Sequence, residues 1–255
     1  MNKNYLLLPY LIILIVSYSL LSILSEIRYF LVTFYLVVIF WIVFTIAIFQ
    51  FSLRDAIKII FKSKKRKIAI LIFIVYISIH YFVYSIALED LLIFLFPTNF
   101  GFTTFQATIT FSPFTYPNVI TAFLSLIYNP LITVIIPPYF TVVLSLYSIA
   151  FGLIIAVLVS SNLTKALEIF GLGKSFKYLA IIPLFGVISG AACCISIPYL
   201  IAFFIPAIGL VLLSSPLGYW TLLALYVLLP PVTAIALRIN LNTLNKINYP
   251  KLFIK

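Results

Sequence analysis

One histidine, two cysteines and five acidic residues are all that 255 positions offer as the usual side-chain metal ligands. Each shortage removes a class of function. A single histidine, His80, excludes a bis-histidine haem from this chain alone, and equally a three-histidine zinc or copper site. The acids are Glu26, Asp55, Glu89, Asp90 and Glu168, and each falls at the end of an apolar run or between two runs. No carboxylate therefore stands at mid-span to relay protons or sodium, which weighs against an ion-coupled transporter. Too few polar partners remain for a Ser-His-Asp set, and there is no glycine-rich phosphate loop. The chain reads as non-enzymatic. His80 stands near Tyr76, Tyr81 and Tyr84, and its expected state is an imidazole hydrogen-bonded to a tyrosine or a backbone carbonyl.

What is abundant is apolar. Hydrophobic residues make up 65% of the chain and charged ones 8%, with a mean hydropathy of +1.27. Soluble domains average about 45–50% apolar and roughly 25% charged, and a membrane-spanning helix needs about 20 consecutive apolar residues. The composition implies an all-α, polytopic transmembrane helix bundle, a single integral membrane domain over residues 1–255 whose first partner is the lipid bilayer. Tyr5 to Leu24 is too long for the apolar core of a signal peptide, and no small-x-small cleavage site follows it, so it reads as a retained first span.

The net charge of +11 is gathered into three places. Arg54, Lys58, Lys62, Lys64, Lys65, Arg66 and Lys67 fall within 54–67, Lys165, Lys174 and Lys177 in a second short segment, and Arg238, Lys246, Lys251 and Lys255 in the tail, 238–255. Basic residues collect in short cytoplasmic loops as helices insert, so all three segments and both termini are expected in the cytoplasm of a cell-membrane protein. Holding anionic lipid headgroups is a secondary role for these charges, and no nucleic-acid partner is expected. Asn162-Leu163-Thr164 matches the glycosylation pattern but falls on the cytoplasmic side of this topology.

These constraints thread about six spanning helices: 5–25, 29–53, 68–88, 139–161, one within 178–213, and 218–237. Seven, with 119–136 placed differently, is the alternative. Residues 89–138 are extracytoplasmic. Within them Phe105 to Phe111, "FQATITF", alternates with a period of two and reads as a strand of a small β-ribbon. Its edge needs a partner, either its own hairpin mate or another chain. Residues 119–136, interrupted by Asn129-Pro130, read as an interfacial helix or a re-entrant piece. Residues 162–177 read as a short basic amphipathic segment. The uncharged run from Tyr178 to Leu213 exceeds one untilted span, so a span with a bent or re-entrant continuation is expected.

Inside that run "SGAACCISIP", Ser189 to Pro198, holds both cysteines. Gly186, Gly190 and Cys194 recur every fourth residue, a small-residue face along which membrane helices approach closely. Pro198 cannot donate to the carbonyl of Cys194, and Pro206 repeats the effect on Ala202, so the helix is expected to break at Pro198 and Pro206. Adjacent thiolates exposed by such a break suit a soft metal ion, which makes Cys193 and Cys194 candidate metal ligands. Burial in hydrocarbon opposes this by keeping the thiols protonated. Gly190 to Arg238, with its Cys-Cys pair, following proline, turn and second helix, resembles the hairpin of the mercuric-ion transport proteins. That resemblance implies passage of a soft metal ion by Cys193 and Cys194; the proline stands one residue later than in that family, and the first 177 residues have no counterpart in it. A looser likeness is to archaeal multi-span membrane proteins of unknown function that carry a Cys-x-x-Cys pair. The leading expectation is a non-enzymatic accessory or structural subunit that packs with other membrane proteins; the competing one is soft-metal binding or transport. A thiol redox carrier ranks third, because nothing nearby lowers the thiol pKa.

Overall fold

The computed structural model describes residues 3–24, 29–63, 65–83, 103–111, 118–137, 140–170 and 215–246. Among these are seven helices and one small sheet. Helix α1 (Lys3–Leu24) and α2 (Phe30–Ala47) pack side by side. A π-helical turn, Ile48–Ser52, ends α2 and delivers the chain into α3 (Arg54–Lys62). Helix α4 (Arg66–Ser78) follows and also passes into a π-helical turn, Ile79–Val83. Next come β1 (Gln106–Thr110), α5 (Val119–Tyr128), β2 (Leu131–Ile136), β3 (Phe140–Ser145), α6 (Leu146–Phe170) and α7 (Pro216–Lys246).

Four helices are long and apolar enough to cross a membrane by length and composition: Leu7–Leu24, Phe30–Ser52, Leu146–Glu168 and Leu223–Lys246. They differ sharply in burial. In the most apolar stretch of α6 78% of residues are buried, against 11%, 22% and 28% in α1, α2 and α7. Helix α6 is thus the axis of the fold, packed by α2, α3, α4, α5 and α7. The surrounding helices turn large apolar side chains outward, among them Ile15, Leu31, Leu71 and Ile239.

The strand expected at 105–111 is present as β1, and its partner is β2, which lies beyond α5 in the chain. Gln106 pairs with Ile135 and Thr110 with Leu131, antiparallel. Two sequence expectations are corrected here. Residues 119–136 are not one continuous helix but a helix to Tyr128 and then a strand. Residues 140–145 do not begin a spanning helix: Phe140–Ser145 is a strand paired with β2 from Ile136↔Phe140 to Leu131↔Ser145. The physical reason is local. Ile132 to Ile136 and Thr141 to Val143 are β-branched residues whose restricted χ1 favours the pleated ladder. Pro137 stands at the turn between them.

Boundaries shift accordingly. Helix α6 starts at Leu146 and runs to Phe170, so residues 162–170 are its last turns and not a separate amphipathic segment. The basic stretch 54–67 is largely helical, since Arg54–Lys62 is α3 and Arg66 opens α4. Residues 238–246 of the tail continue α7. Of the six expected spans, those at 68–88 and 178–213 run into residues outside the described set.

Hydrogen bonds fix which ends meet. Tyr10 of α1 donates to Gln50 at 2.9 Å, and Lys65 Nζ donates to the carbonyl of Leu167 at 2.9 Å. Arg238 Nη2 stands 3.9 Å from Asp55 Oδ2. The basic segments around 54–67, 165 and 238 therefore share one end of the bundle. The sheet and α5 occupy the other, where Phe111 meets Phe30 at 5.0 Å and Tyr18 donates to the carbonyl of Val119 at 3.0 Å.

Candidate functional site

Gly186, Gly190, Cys193, Cys194, Pro198 and Pro206, the residues singled out as helix-packing, metal and helix-break positions, all lie outside the described residues. Among the described residues no three His, Cys, Asp or Glu side chains are grouped to hold a metal ion. The polar chemistry that is described runs along α6, in layers.

The layer nearest the sheet is built on two prolines. In a helix each N–H donates to the carbonyl four residues back, and proline has none to donate. Pro231, inside α7, stands four residues after Val227, and α5 ends at Tyr128, which leaves the Leu126 carbonyl in its last turn beyond any further helical donor. Both deprived carbonyls are taken up by aromatic side chains. The indole N–H of Trp41 donates to Leu126 at 2.7 Å, and the hydroxyl of Tyr147 donates to Val227 at 2.8 Å. The same hydroxyl lies 3.4 Å from the carbonyl of Tyr226, which is the one Pro230 deprives. Trp41 and Tyr147 are themselves in edge-to-face contact at 5.4 Å. Ser145 and the Tyr226 hydroxyl share a further hydrogen bond of 2.9 Å, and Ser148 donates to the carbonyl of Ser145 to start α6. Beside this layer an apolar recess of about 480 Å³ opens between the helices, walled by Tyr18, Phe40, Trp41, Phe44, Tyr147 and Phe151.

The middle layer contains His80. It is buried at 2% exposure, with Nδ1 3.3 Å from the Tyr76 hydroxyl one turn earlier. The ring meets Tyr81 edge to face at 4.9 Å, and Tyr81 donates to the carbonyl of Ile149 on α6 at 2.7 Å. The π-helical turn places His80 and Tyr81, consecutive in sequence, both against α6. That approach requires a glycine opposite: a Cβ at Gly152 would fall 2.6 Å from Tyr81 Cζ and 2.8 Å from His80 Nε2.

The layer toward the basic end is hydroxyl and amide. Ser160 donates to the carbonyl of Ala69 on α4 at 2.6 Å, tying two helices. Asn162, fully buried, donates to Leu158 at 2.7 Å and across to Leu237 on α7 at 3.0 Å, while Asn240 donates to its Oδ1 at 2.9 Å. A buried amide engaged on both atoms is closed to glycosylation, so the Asn162 sequon is a pattern without an accessible acceptor. Beyond it Ser63 donates to Glu168 at 2.5 Å and Lys165 stands 3.7 Å from the same carboxylate. With Lys65 on the Leu167 carbonyl, positive charge sits on the last turn of α6, the end where the helix dipole favours it.

The chemistry of these layers is structural. Hydroxyl, indole and amide donors are spent on backbone carbonyls that have lost, or share, a helical partner, which in hydrocarbon would otherwise cost several kcal/mol each. The proline rule is applied in the sequence reading to Pro198 and Pro206, and Pro230 with Pro231 inside α7 obeys it as well; what the sequence lacks is any mark of which side chain answers each carbonyl. No family model matches the chain, and no curated protein and no solved structure is significantly similar to it.

Proposed function

We propose that the chain is a multi-span integral membrane protein of about six helices, with its basic end in the cytoplasm, acting as a non-enzymatic subunit that packs with other membrane proteins. Support for the membrane setting comes from the outer surface. Leu31 is 65% exposed, Ile15 63% and Ile239 61%, whereas a soluble monomer seldom exposes large contiguous apolar patches. Support for the subunit role comes from the sheet. All five residues of β1 are exposed, flanked by Phe105, and among the described residues only β2 pairs with it. A strand with one open edge and exposed apolar side chains is a template for a further strand.

The test is the size of the particle in mild detergent. Wild-type chain extracted from its native membrane should migrate in an assembly larger than itself. Ile109→Lys places a charge on the edge strand and should release the lone chain with unchanged melting temperature. A wild-type chain that always extracts as a monomer contradicts the subunit role. Soft-metal handling by Cys193 and Cys194 is the competing proposal. It rests on the cysteine pair and Pro198, and unchanged copper(I) or mercury(II) binding and uptake after Cys193→Ser and Cys194→Ser removes it.

A further inference from the structure

At the basic end, the π-helical turn that closes α2 leaves a recess of about 530 Å³ against α3. Its composition is divided. Phe49, Phe51 and Ile57 supply an apolar wall, and Gln50, Arg54, Asp55 and Lys58 a polar one. The division follows from α3 itself. Leu53, Ala56 and Ile60 are buried, at the spacing of one helical face, while Arg54, Asp55, Lys58 and Lys62 are exposed on the other. The apolar face is packed into the core against α6, which leaves the basic face turned outward. The π-helical turn that precedes α3 joins the long apolar stretch Phe30–Ser52 to this amphipathic helix.

The charges around the recess do not cancel. Asp55 is the one carboxylate on α3, and it stands 3.8 Å from Lys58 and 3.9 Å from Arg238, both long contacts made by a side chain 67% exposed. Against it stand three cations, Arg54, Lys58 and Arg238. Nη1 of Arg238 is buried and has no hydrogen-bond partner among the described residues. Arg238 adds its charge from outside the recess, whereas Arg54 lines it, and a phosphate oxygen is the acceptor that arginine favours. The facing wall carries the aromatic and aliphatic carbon of Phe49, Phe51 and Ile57.

We infer that this recess is a binding site for the phosphate headgroup of an anionic glycerophospholipid, with Arg54 and Lys58 on the headgroup, Arg238 behind them, and Phe49 and Phe51 along the upper acyl chain. It rests on the membrane reading, whose failure would show separately as a chain that stays in solution without detergent. The site does not depend on the subunit role.

The experiment uses the full chain purified in a neutral detergent, followed by thermal unfolding during titration with phosphatidylglycerol, phosphatidylcholine or inorganic phosphate. Phosphatidylglycerol should raise the melting temperature saturably, and the other two should not at equal concentration. One basic residue near an anionic surface contributes about 1 kcal/mol, roughly a fivefold change in affinity. Arg54→Gln with Lys58→Gln should therefore weaken phosphatidylglycerol by about 25-fold, and Asp55→Asn should tighten it by about fivefold. Lys246→Gln, at the far end of α7, should leave it unchanged. All these side chains are exposed, so folding should survive their replacement. Equal stabilisation by phosphatidylcholine or by phosphate, or equal weakening by Lys246→Gln, would overturn the assignment.

Discussion

Trp41 and Tyr147 meet edge to face at 5.4 Å, and each donates to a backbone carbonyl at a break in a helix, Leu126 where α5 ends and Val227 four residues before Pro231. One aromatic contact thus joins three breaks in regularity, at Pro130 after α5 and at Pro230 and Pro231 within α7, to the buried axis α6. It explains how a 31-residue helix accommodates two consecutive prolines. The carbonyls they leave behind point to a hydroxyl, so the local loss of helix bonds becomes an interhelical tie.

Tyr147→Phe keeps the ring and removes the donor, leaving the Val227 carbonyl stranded. The expected cost is about 1–3 kcal/mol, read as a lowered melting temperature in detergent. Pro231→Leu restores an N–H four residues after Val227. In that background Tyr147→Phe should cost distinctly less, and equal costs in both backgrounds would show that the hydroxyl does not serve the proline.

Gly152→Ala tests the close approach of α4 and α6. The added methyl meets Tyr81 and His80, two rings held by hydrogen bonds, and neither is the far end of a flexible chain. Overpacking of this kind costs about 1–3 kcal/mol. Gly152→Val should cost more, and a thermal melt that places either variant level with wild type would mean the helices stand further apart.

Asn162→Leu is nearly isosteric and removes both the donor to Leu237 and the acceptor of Asn240. Asn240→Ala removes one end of the same link. Each should destabilise, Asn162→Leu by roughly 1–3 kcal/mol, and the double variant should cost less than the sum because the two share a bond. An additive pair, measured by chemical or thermal unfolding, would separate them.

Much of the fold was legible where the physics is local. Hydropathy marked α1, α2, α6 and α7, and the alternation of Gln106, Thr108 and Thr110 with apolar neighbours marked β1. The helix-to-strand change at Asn129-Pro130 was half legible: the proline announced a break but not what followed. Residues 140–145 were missed because Phe140 to Leu144 is as apolar as a span, and only the ladder to β2 distinguishes the two. The site was less legible still. Trp41 and Leu126 are 85 residues apart, and Tyr147 and Val227 80, so no spacing in the sequence connects donor to acceptor. Gly152, too, is distinguished only by the rings opposite it.

In the proposed topology the basic end faces the cytoplasm and the sheet faces out, with α6 running between them. In a chain carrying Cys193→Ser and Cys194→Ser, single cysteines at Lys62→Cys, Lys246→Cys and Thr108→Cys report the two ends, since all three positions are exposed. A membrane-impermeant maleimide applied to intact cells should label Thr108→Cys alone, and label the other two only after the membrane is opened. Labelling of all three from the same side, or of Lys62→Cys in intact cells, would contradict the account.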